Sequence, residues 1–299
     1  MQQNPDGAAL LAIARRAAEA AGEVHREARG GIDPSDWNEK GRSDFVTEVD
    51  VEAERRIVEI IQNQFPEHLI LAEEGTGEDR SDASRPGLHP GGEEERIRWI
   101  IDPLDGTTNW LHGYPEYAVS IAAEDVEGLV AGLVLNTAIG ERFEAHRGGG
   151  ATLDGSPIEV SRVARLEHAL VGTGFPFKKL EMMPAYLDTF GRVLSRTSGI
   201  RRAGAAALDL CDLACGRLDA FFEYWLMPWD VAAGALIVRE AGGLFEPLDV
   251  PGQPLRPGAD SHDVARERIS PGGFLAANGE LAADFRALMG EGHEDGSLP

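Results

Sequence analysis

The run Ile100-Ile101-Asp102-Pro103-Leu104-Asp105-Gly106-Thr107-Thr108-Asn109-Trp110 places two carboxylates three residues apart, behind a strand-like apolar stretch and ahead of a glycine and two threonines. In α/β sheets ligands gather beyond the carboxyl ends of strands, and a helix N-terminus offers free backbone N–H groups to anions, so the location suits phosphate chemistry. A second acidic end follows Leu69-Ile70-Leu71-Ala72 at Glu73 and Glu74, and a third is Asp230 in Met227-Pro228-Trp229-Asp230, where it could cap a helix. Asp50, in Thr47-x-x-Asp50, reads by itself as a capping box with Asp in the N3 place. Each acid alone fits a cap or a strand-end turn. Together they change the reading, because carboxylates converging in one cleft without matching Arg or Lys repel strongly unless a cation neutralises them. An all-oxygen donor set favours a hard divalent ion, Mg²⁺ first and Mn²⁺ or Ca²⁺ after. Two such ions can activate a water and stabilise the leaving oxygen of a phosphate ester, and they reverse the local sign for an anionic substrate.

Competing chemistries lack their letters. There is no G-x-x-x-x-G-K-[ST], no G-x-S-x-G and no G-x-G-x-x-G. An aspartyl-nucleophile phosphatase would space its two acids by one residue, whereas Pro103 and Leu104 separate Asp102 from Asp105 and set them at different angles from the strand end.

The elements that must position these acids follow from periodicity. After Asp6, residues 7–27 put Leu10, Ile13, Ala14, Ala17, Ala21 and Val24 at helical spacing, and a second helix is expected from about Thr47 to Phe65 with Ala53, Ile57, Ile60 and Ile61 inward. Strand-like runs follow at 69–72, 97–102, 117–124, 128–135 and 141–147, with turn-rich separators, and read as an antiparallel meander. Beyond about residue 160 strands and helices alternate: strands near 169–176, 218–224, 244–247 and 274–278, and helices near 181–196, 204–216 and 230–241, with a last one after 278. The expected class is α/β with an α+β N-terminal half, in one unit of 1–290 whose halves are about 1–160 and 161–290, followed by a frayed tail at 291–299. Two long segments, 75–96 and 249–271, carry turn formers and charge without periodicity and read as long loops.

The 299 residues are 42% hydrophobic, enough for a real core, and carry a formal charge of -23 that excludes nucleic acid as a direct electrostatic partner. That charge reads as a solvated acidic surface. No stretch is long and apolar enough for a membrane span and no secretory leader is visible, so the expected location is cytoplasmic. Cys211 and Cys215, four apart in a helical pattern, read as buried small hydrophobes rather than a disulfide or zinc site.

Five segments, 44–50 (DFVTEVD), 72–75 (AEEG), 99–110 (WIIDPLDGTTNW), 201–210 (RRAGAAALDL) and 228–243 (PWDVAAGALIVREAGG), together resemble the inositol monophosphatase family; they occur in the family's order and the likeness spans about residues 8–290. Segments 172–177 and 216–223 resemble its bacterial members in particular. The resemblance implies a layered αβαβα sandwich of the sugar-phosphatase type, Mg²⁺ dependence with two to three ions, inhibition by Li⁺ or Ca²⁺, and a homodimer. It implies that Glu73, Asp102 and the Leu104 carbonyl match the ligands of a first metal, and Asp102, Asp105 and Asp230 those of a second. Glu73 would also reach a third ion through water. Thr107 and Asp50 match the pair orienting the attacking water, which takes precedence over the capping reading of Asp50 while remaining compatible with it, and the Gly106 and Thr107 amides would hold the phosphate. Asp105, Gly204, Ala206 and Glu223 match substrate contacts, and Lys40 a lysine near the metal water. The expected reaction is hydrolysis of an inositol or related polyol monophosphate by direct water attack. Alternatives are a broader sugar phosphatase that takes fructose 1,6-bisphosphate, and a regulatory, protein-binding role in transcription or RNA processing.

Overall fold

The computed structural model describes residues 6–29, 48–75, 97–177, 179–250 and 269–290, together with the backbone of 38–41 and 44–46. Thr47, most of both long loops and the segment 291–299 lie outside the described residues.

Asp6 begins helix α1 (Gly7–Ala28) as expected, its Oδ1 accepting the Ala9 amide at 2.8 Å, and the anticipated stripe from Leu10 to Val24 is buried. A hairpin of β1 (Asn38–Gly41) and β2 (Asp44–Val46) precedes α2 (Glu48–Gln64). Seven strands follow: β3 (Leu69–Ala72), β4 (Arg98–Asp105), β5 (Ala118–Asp125), β6 (Gly128–Asn136), β7 (Arg142–His146), β8 (Ala151–Leu153) and β9 (Ser156–Ile158), with the short helix α3 (Thr107–His112) after β4. They form one sheet in chain order. The expected meander holds from β4 to β9, but β3 and β4 are parallel, with Leu69 opposite Arg98. The length of chain between these two runs is the reason, since parallel neighbours need a crossover of a dozen or more residues.

The second half supplies β10 (Leu170–Thr173), α4 (Met183–Arg196), β11 (Gly199–Arg201), α5 (Ala206–Ala214), β12 (Ala220–Leu226), α6 (Pro228–Glu240), β13 (Leu244–Leu248), β14 (Gly272–Ala277) and α7 (Ala282–Gly290). Its strands form a five-stranded mixed sheet ordered β11-β10-β12-β14-β13.

Side-chain alternation sorts the core into three. Along the first sheet Trp99, Ile101, Val119, Ile121 and Leu133 face α1 and α2, while Ile100, Ala118, Ala122 and Val134 face α5 and α6. The second sheet repeats the pattern, with Phe221 and Phe245 on the α5–α6 side, and Phe222, Tyr224 and Leu275 on the side of Tyr186 in α4 and Phe285 in α7. The result is the expected αβαβα sandwich. Covering both sheet faces explains why β6 is buried along all nine residues, where a half-exposed antiparallel strand would alternate with polar residues. Among the described residues no helix is long and apolar enough to cross a membrane.

Candidate active site

The opening run leaves the sheet in a bulge. Asp102 still pairs with Ser120, the register breaks over Pro103 and Leu104, and Asp105 pairs with Ala118 before Gly106, at φ 86°, turns the chain into α3. Buried Trp110 anchors that helix in the α1–α2 core, its indole Nε1 donating to the His25 carbonyl at 3.4 Å. The Thr107 hydroxyl lies 3.1 Å from both Asp50 Oδ1 and the Leu104 carbonyl, so the first turn of α3 is tied to α2 and to the bulge. Asn109 donates through Nδ2 to the carbonyls of Glu116, at 2.7 Å, and Ala203, at 3.0 Å, joining the turn to the second half.

Three aspartates each bind a backbone amide through one oxygen. Asp102 Oδ1 accepts from Leu104 at 2.9 Å, Asp105 Oδ2 from Ala207 at 2.8 Å, and Asp230 Oδ2 from Met227 at 2.6 Å. The Asp105 bond caps α5 from outside, because Ala205 at its N-cap has no side-chain acceptor. Asp230 is not the N-cap of α6; it stands at N3 and reaches back to the N-cap amide, because Pro228 at N1 starts the helix two residues earlier. The Ser120 hydroxyl donates to the Trp229 carbonyl at 3.2 Å and fixes that helix start to β5.

These acids are close enough to raise one another. Burial first, then Glu73, Asp105 and Asp230, push the Asp102 carboxyl well above the usual range. Burial, then Asp230, act likewise on Asp105, partly offset by the Ala207 amide, with Glu223 and Glu73 adding smaller repulsions. Burial and Asp230 push Glu223 up to about 8, against an opposing pull from Arg202. Glu73, Asp102, Asp105, Asp230 and Glu223 therefore share one low-dielectric region although they come from four separate stretches of chain, Asp102 and Asp105 both lying on β4. Their chemistry, all carboxylate oxygen with mutual repulsion, fits a hard divalent cation. Among the described residues no three His, Cys, Asp or Glu side chains have closed to the distances of a formed metal cage, consistent with aspartates turned onto backbone amides.

Helix α2 contributes a second carboxylate one turn past Asp50. Glu54 is fully buried, and its Oε2 accepts the Glu74 amide at 2.6 Å, beside Glu73. The i, i+4 spacing of Asp50 and Glu54 carries this signal, but the sequence reading passed over Glu54. It also passed over Asp209, a buried carboxyl on α5 pushed well above its usual range by burial and then by Glu223. Gly204 and Ala206 stand at the start of α5, and Gly204 lies beside Asn109. Backbone strand β1 contains Lys40, whose side chain lies outside the described residues. Cys211 is buried as expected, whereas Cys215, at the C-cap of α5, is half-buried.

Comparison with known proteins agrees with the resemblance. The profile of the inositol monophosphatase family matches residues 6–284. The "Nus factor SuhB" of Pseudomonas aeruginosa is 47% identical over 238 residues, covering 79% of this chain and 84% of that protein. The crystal structure of the extragenic suppressor protein suhB from Bartonella henselae superposes with a TM-score of 0.79 at 34% identity, covering 95% of this chain and all of the other. The inositol monophosphatase of Anabaena sp. PCC 7120 gives a TM-score of 0.73 at 33% identity, covering 94% of this chain and 95% of the other.

Proposed function

The chain belongs to the inositol monophosphatase family, and from that premise we propose that it is a Mg²⁺-dependent phosphomonoesterase acting on an inositol or related polyol phosphate. The observation that carries this reading is the mutually repelling set of Glu73, Asp102, Asp105 and Asp230 around one turn, with Asp102 buried and the other three half-buried. In it, Glu73, Asp102 and the Leu104 carbonyl would hold one Mg²⁺, and Asp102, Asp105 and Asp230 a second. When bound, the ions supply a more acidic water and charge neutralisation for the phosphate.

This chain's own residues account for the remaining steps. The Thr107 hydroxyl, donating towards Asp50 Oδ1, keeps its lone pairs directed to the turn, where they accept a hydrogen bond from the attacking water and set its line of approach. Asp50, buried on α2, takes the water's proton through Thr107 Oγ1. The amides of Gly106 and Thr107 hold the phosphate oxygens as negative charge shifts onto them. Gly204 and Ala206 border the alcohol, and Glu223 accepts from its hydroxyls. Water adds to phosphorus, the bond from phosphorus to the ester oxygen breaks, the departing alkoxide takes a proton from solvent to leave as the alcohol while Asp50 returns its proton to solvent, and no group on the chain becomes phosphorylated.

Phosphate release from inositol 1-phosphate, titrated with Mg²⁺ and run beside Asp105→Asn, tests the reading; equal activity in the variant sinks the metal assignment. A second reading is favoured by the relative named Nus factor SuhB: a regulatory role through a protein partner, which the acidity of this chain suits better than direct RNA contact. In a strain lacking the gene, rescue by Asp105→Asn supports regulation, and a persistent phenotype weighs against it.

A further inference from the structure

The turn that carries Asp102 and Asp105 rests against α1 at one side chain. His25 is 1% exposed, and its ring meets that of Tyr117 edge-on, with centroids 6.5 Å apart. Its backbone carbonyl accepts the Trp110 indole N–H at 3.4 Å. Burial lowers the pKa of the ring, and the Pro103 carbonyl, lying against it, acts in the opposite direction. His25 thus meets the chain before, within and after α3, at Pro103, Trp110 and Tyr117.

The two ring nitrogens are not equivalent. Nδ1 lies 3.0 Å from the Thr137 hydroxyl, whereas Nε2 is buried without a hydrogen-bond partner. A carbonyl can only accept, so the Pro103 oxygen is matched by the tautomer with its proton on Nε2, and the Thr137 hydroxyl then donates to Nδ1. Buried donors are nearly always satisfied, and one left open beside an acceptor points to a second state of the turn in which the bond is made.

That acceptor belongs to a peptide unit on which the acid turn depends. No peptide bond among the described residues is cis, so the Pro103 carbonyl and the Leu104 N–H leave their shared plane in opposite directions. The Leu104 N–H donates to Asp102 Oδ1 at 2.9 Å. One edge of the plane therefore holds the carboxylate proposed to bridge two cations, and the other faces His25. A hydrogen bond accepted by the carbonyl polarises the amide and strengthens the bond its N–H donates. It also restricts rotation of the plane that sets the direction of the Asp102 carboxylate.

We propose that His25 is a positioning residue of the acid turn, whose Nε2–H closes onto the Pro103 carbonyl as the turn takes up cations and so fixes the peptide that orients Asp102. The inference rests on the proposed metal assignment and adds to it a restraint applied from the core. Cation affinity should then follow the donor at Nε2. Stability should instead follow the packing of the ring and its bond at Nδ1.

The test titrates metal-free protein with Mn²⁺, following the EPR signal of the free ion, and records the melting midpoint without metal. It covers the wild type, His25→Asn, His25→Gln, Thr137→Val and Asp105→Asn. Asparagine reaches only the place of Nδ1, so His25→Asn should bind Mn²⁺ about tenfold more weakly, the scale for loss of an outer-shell partner. Glutamine places an N–H where Nε2 stands, and His25→Gln should recover most of the affinity. Thr137→Val, which removes the Nδ1 partner, should lower the midpoint and leave the affinity unchanged. In the wild type the ring N–H proton of His25 should move downfield in NMR spectra as Mg²⁺ is added. Equal affinity in wild type and His25→Asn, equal loss in His25→Asn and His25→Gln, affinity that tracks the midpoint across the set, or a ring proton indifferent to Mg²⁺ overturns the role of His25. Asp105→Asn separates that result from the metal assignment. If it loses Mn²⁺ binding, the assignment stands whatever His25 does; if it binds like the wild type, both fall.

Discussion

At the proposed phosphate end of the site, Asp50, Thr107, Asp102, Asp105 and Glu54 are joined to one another or to backbone groups by hydrogen bonds of 2.6–3.1 Å. At the alcohol end, Glu223 and Arg202 are placed by glycine floors and phenyl faces, with Arg202 open to solvent. The first arrangement fixes atoms against reaction geometry, where small displacements are costly. The second fixes charge against shape and tolerates different alcohols, because packing restricts position less sharply than a buried hydrogen-bond network does. One end is therefore suited to chemistry common to a family, the other to substrate choice.

The largest test breaks the phosphate end. Asp105→Asn keeps an oxygen that can accept the Ala207 amide, so the cap on α5 survives while the charge is lost. Phosphate release is expected to fall by about 10²–10³-fold, the scale for removing one preorganised electrostatic group, with the thermal midpoint nearly unchanged. A matching collapse of the midpoint would assign Asp105 to folding instead.

The two regions should also respond to pH with opposite signs in the metal-free protein. His25, on α1 in the core behind the phosphate turn, is held down to about 4 by burial, with Nδ1 3.0 Å from the Thr137 hydroxyl. Between about 6.5 and 4 the unfolded chain binds the proton and the native one does not, so stability falls as pH drops through that window, by up to about 3 kcal/mol when complete. Glu223, raised to about 8, gives the reverse: the native carboxyl stays protonated where the unfolded one has ionised, so its contribution is full below about 4.5 and is lost as pH rises through about 8. Melting curves of wild type, His25→Gln and Glu223→Gln from pH 4 to 9 check this. The first variant should flatten the acid limb and the second the alkaline limb; the same limb altered in both would remove the contrast.

A smaller effect is expected one step from the proposed metal ligands. Glu54→Ala leaves the Glu74 amide without its buried acceptor and should weaken Mn²⁺ binding about 10-fold, as for loss of an outer-shell partner. Glu54→Gln, which keeps an acceptor, should recover most of it. Titration of metal-free protein with Mn²⁺, following the EPR signal of the free ion, reads this without catalysis. Equal affinities in wild type and Glu54→Ala would separate Glu54 from Glu73.

What could be read from the letters divides along the same line. The capping Asp6 and the two-period runs are local, and spacing alone exposes them, whereas the strand-like run at 97–102 gives no sign of the bulge that carries β4 on to Asp105. The strands β8, β9 and β11 have three residues each, too few for periodicity to register. The capping of α5 by Asp105 joins residues 102 apart, and Ala205 gives no hint that an outside acceptor exists. At the alcohol end the devices are absences of side chain at Gly174 and Gly204, which composition reports only as turn formers. Trp225, at φ 59° in the bulge after Glu223, has no sequence signal for its left-handed backbone.

The contrast is sharpest at Gly174, where one methyl group should act on the alcohol end alone. The added carbon of Gly174→Ala would stand 1.8 Å from Glu223 Oε1 and 2.1 Å from Cδ, contacts that require the carboxylate to move. Gly174 has no positive φ, so alanine adds no backbone strain and the displacement of Glu223 is the expected consequence. Because the hydroxyl contact is misplaced and the phosphate turn is not, KM should rise about tenfold, the scale of one hydrogen bond to a charged group, with kcat and Mn²⁺ affinity close to wild type. In a Glu223→Ala background the same methyl has room, and the two substitutions should cost no more together than Glu223→Ala alone. Full additivity would mean that the methyl acts on the site by another route, and that the carboxylate is placed by something other than the glycine beneath it.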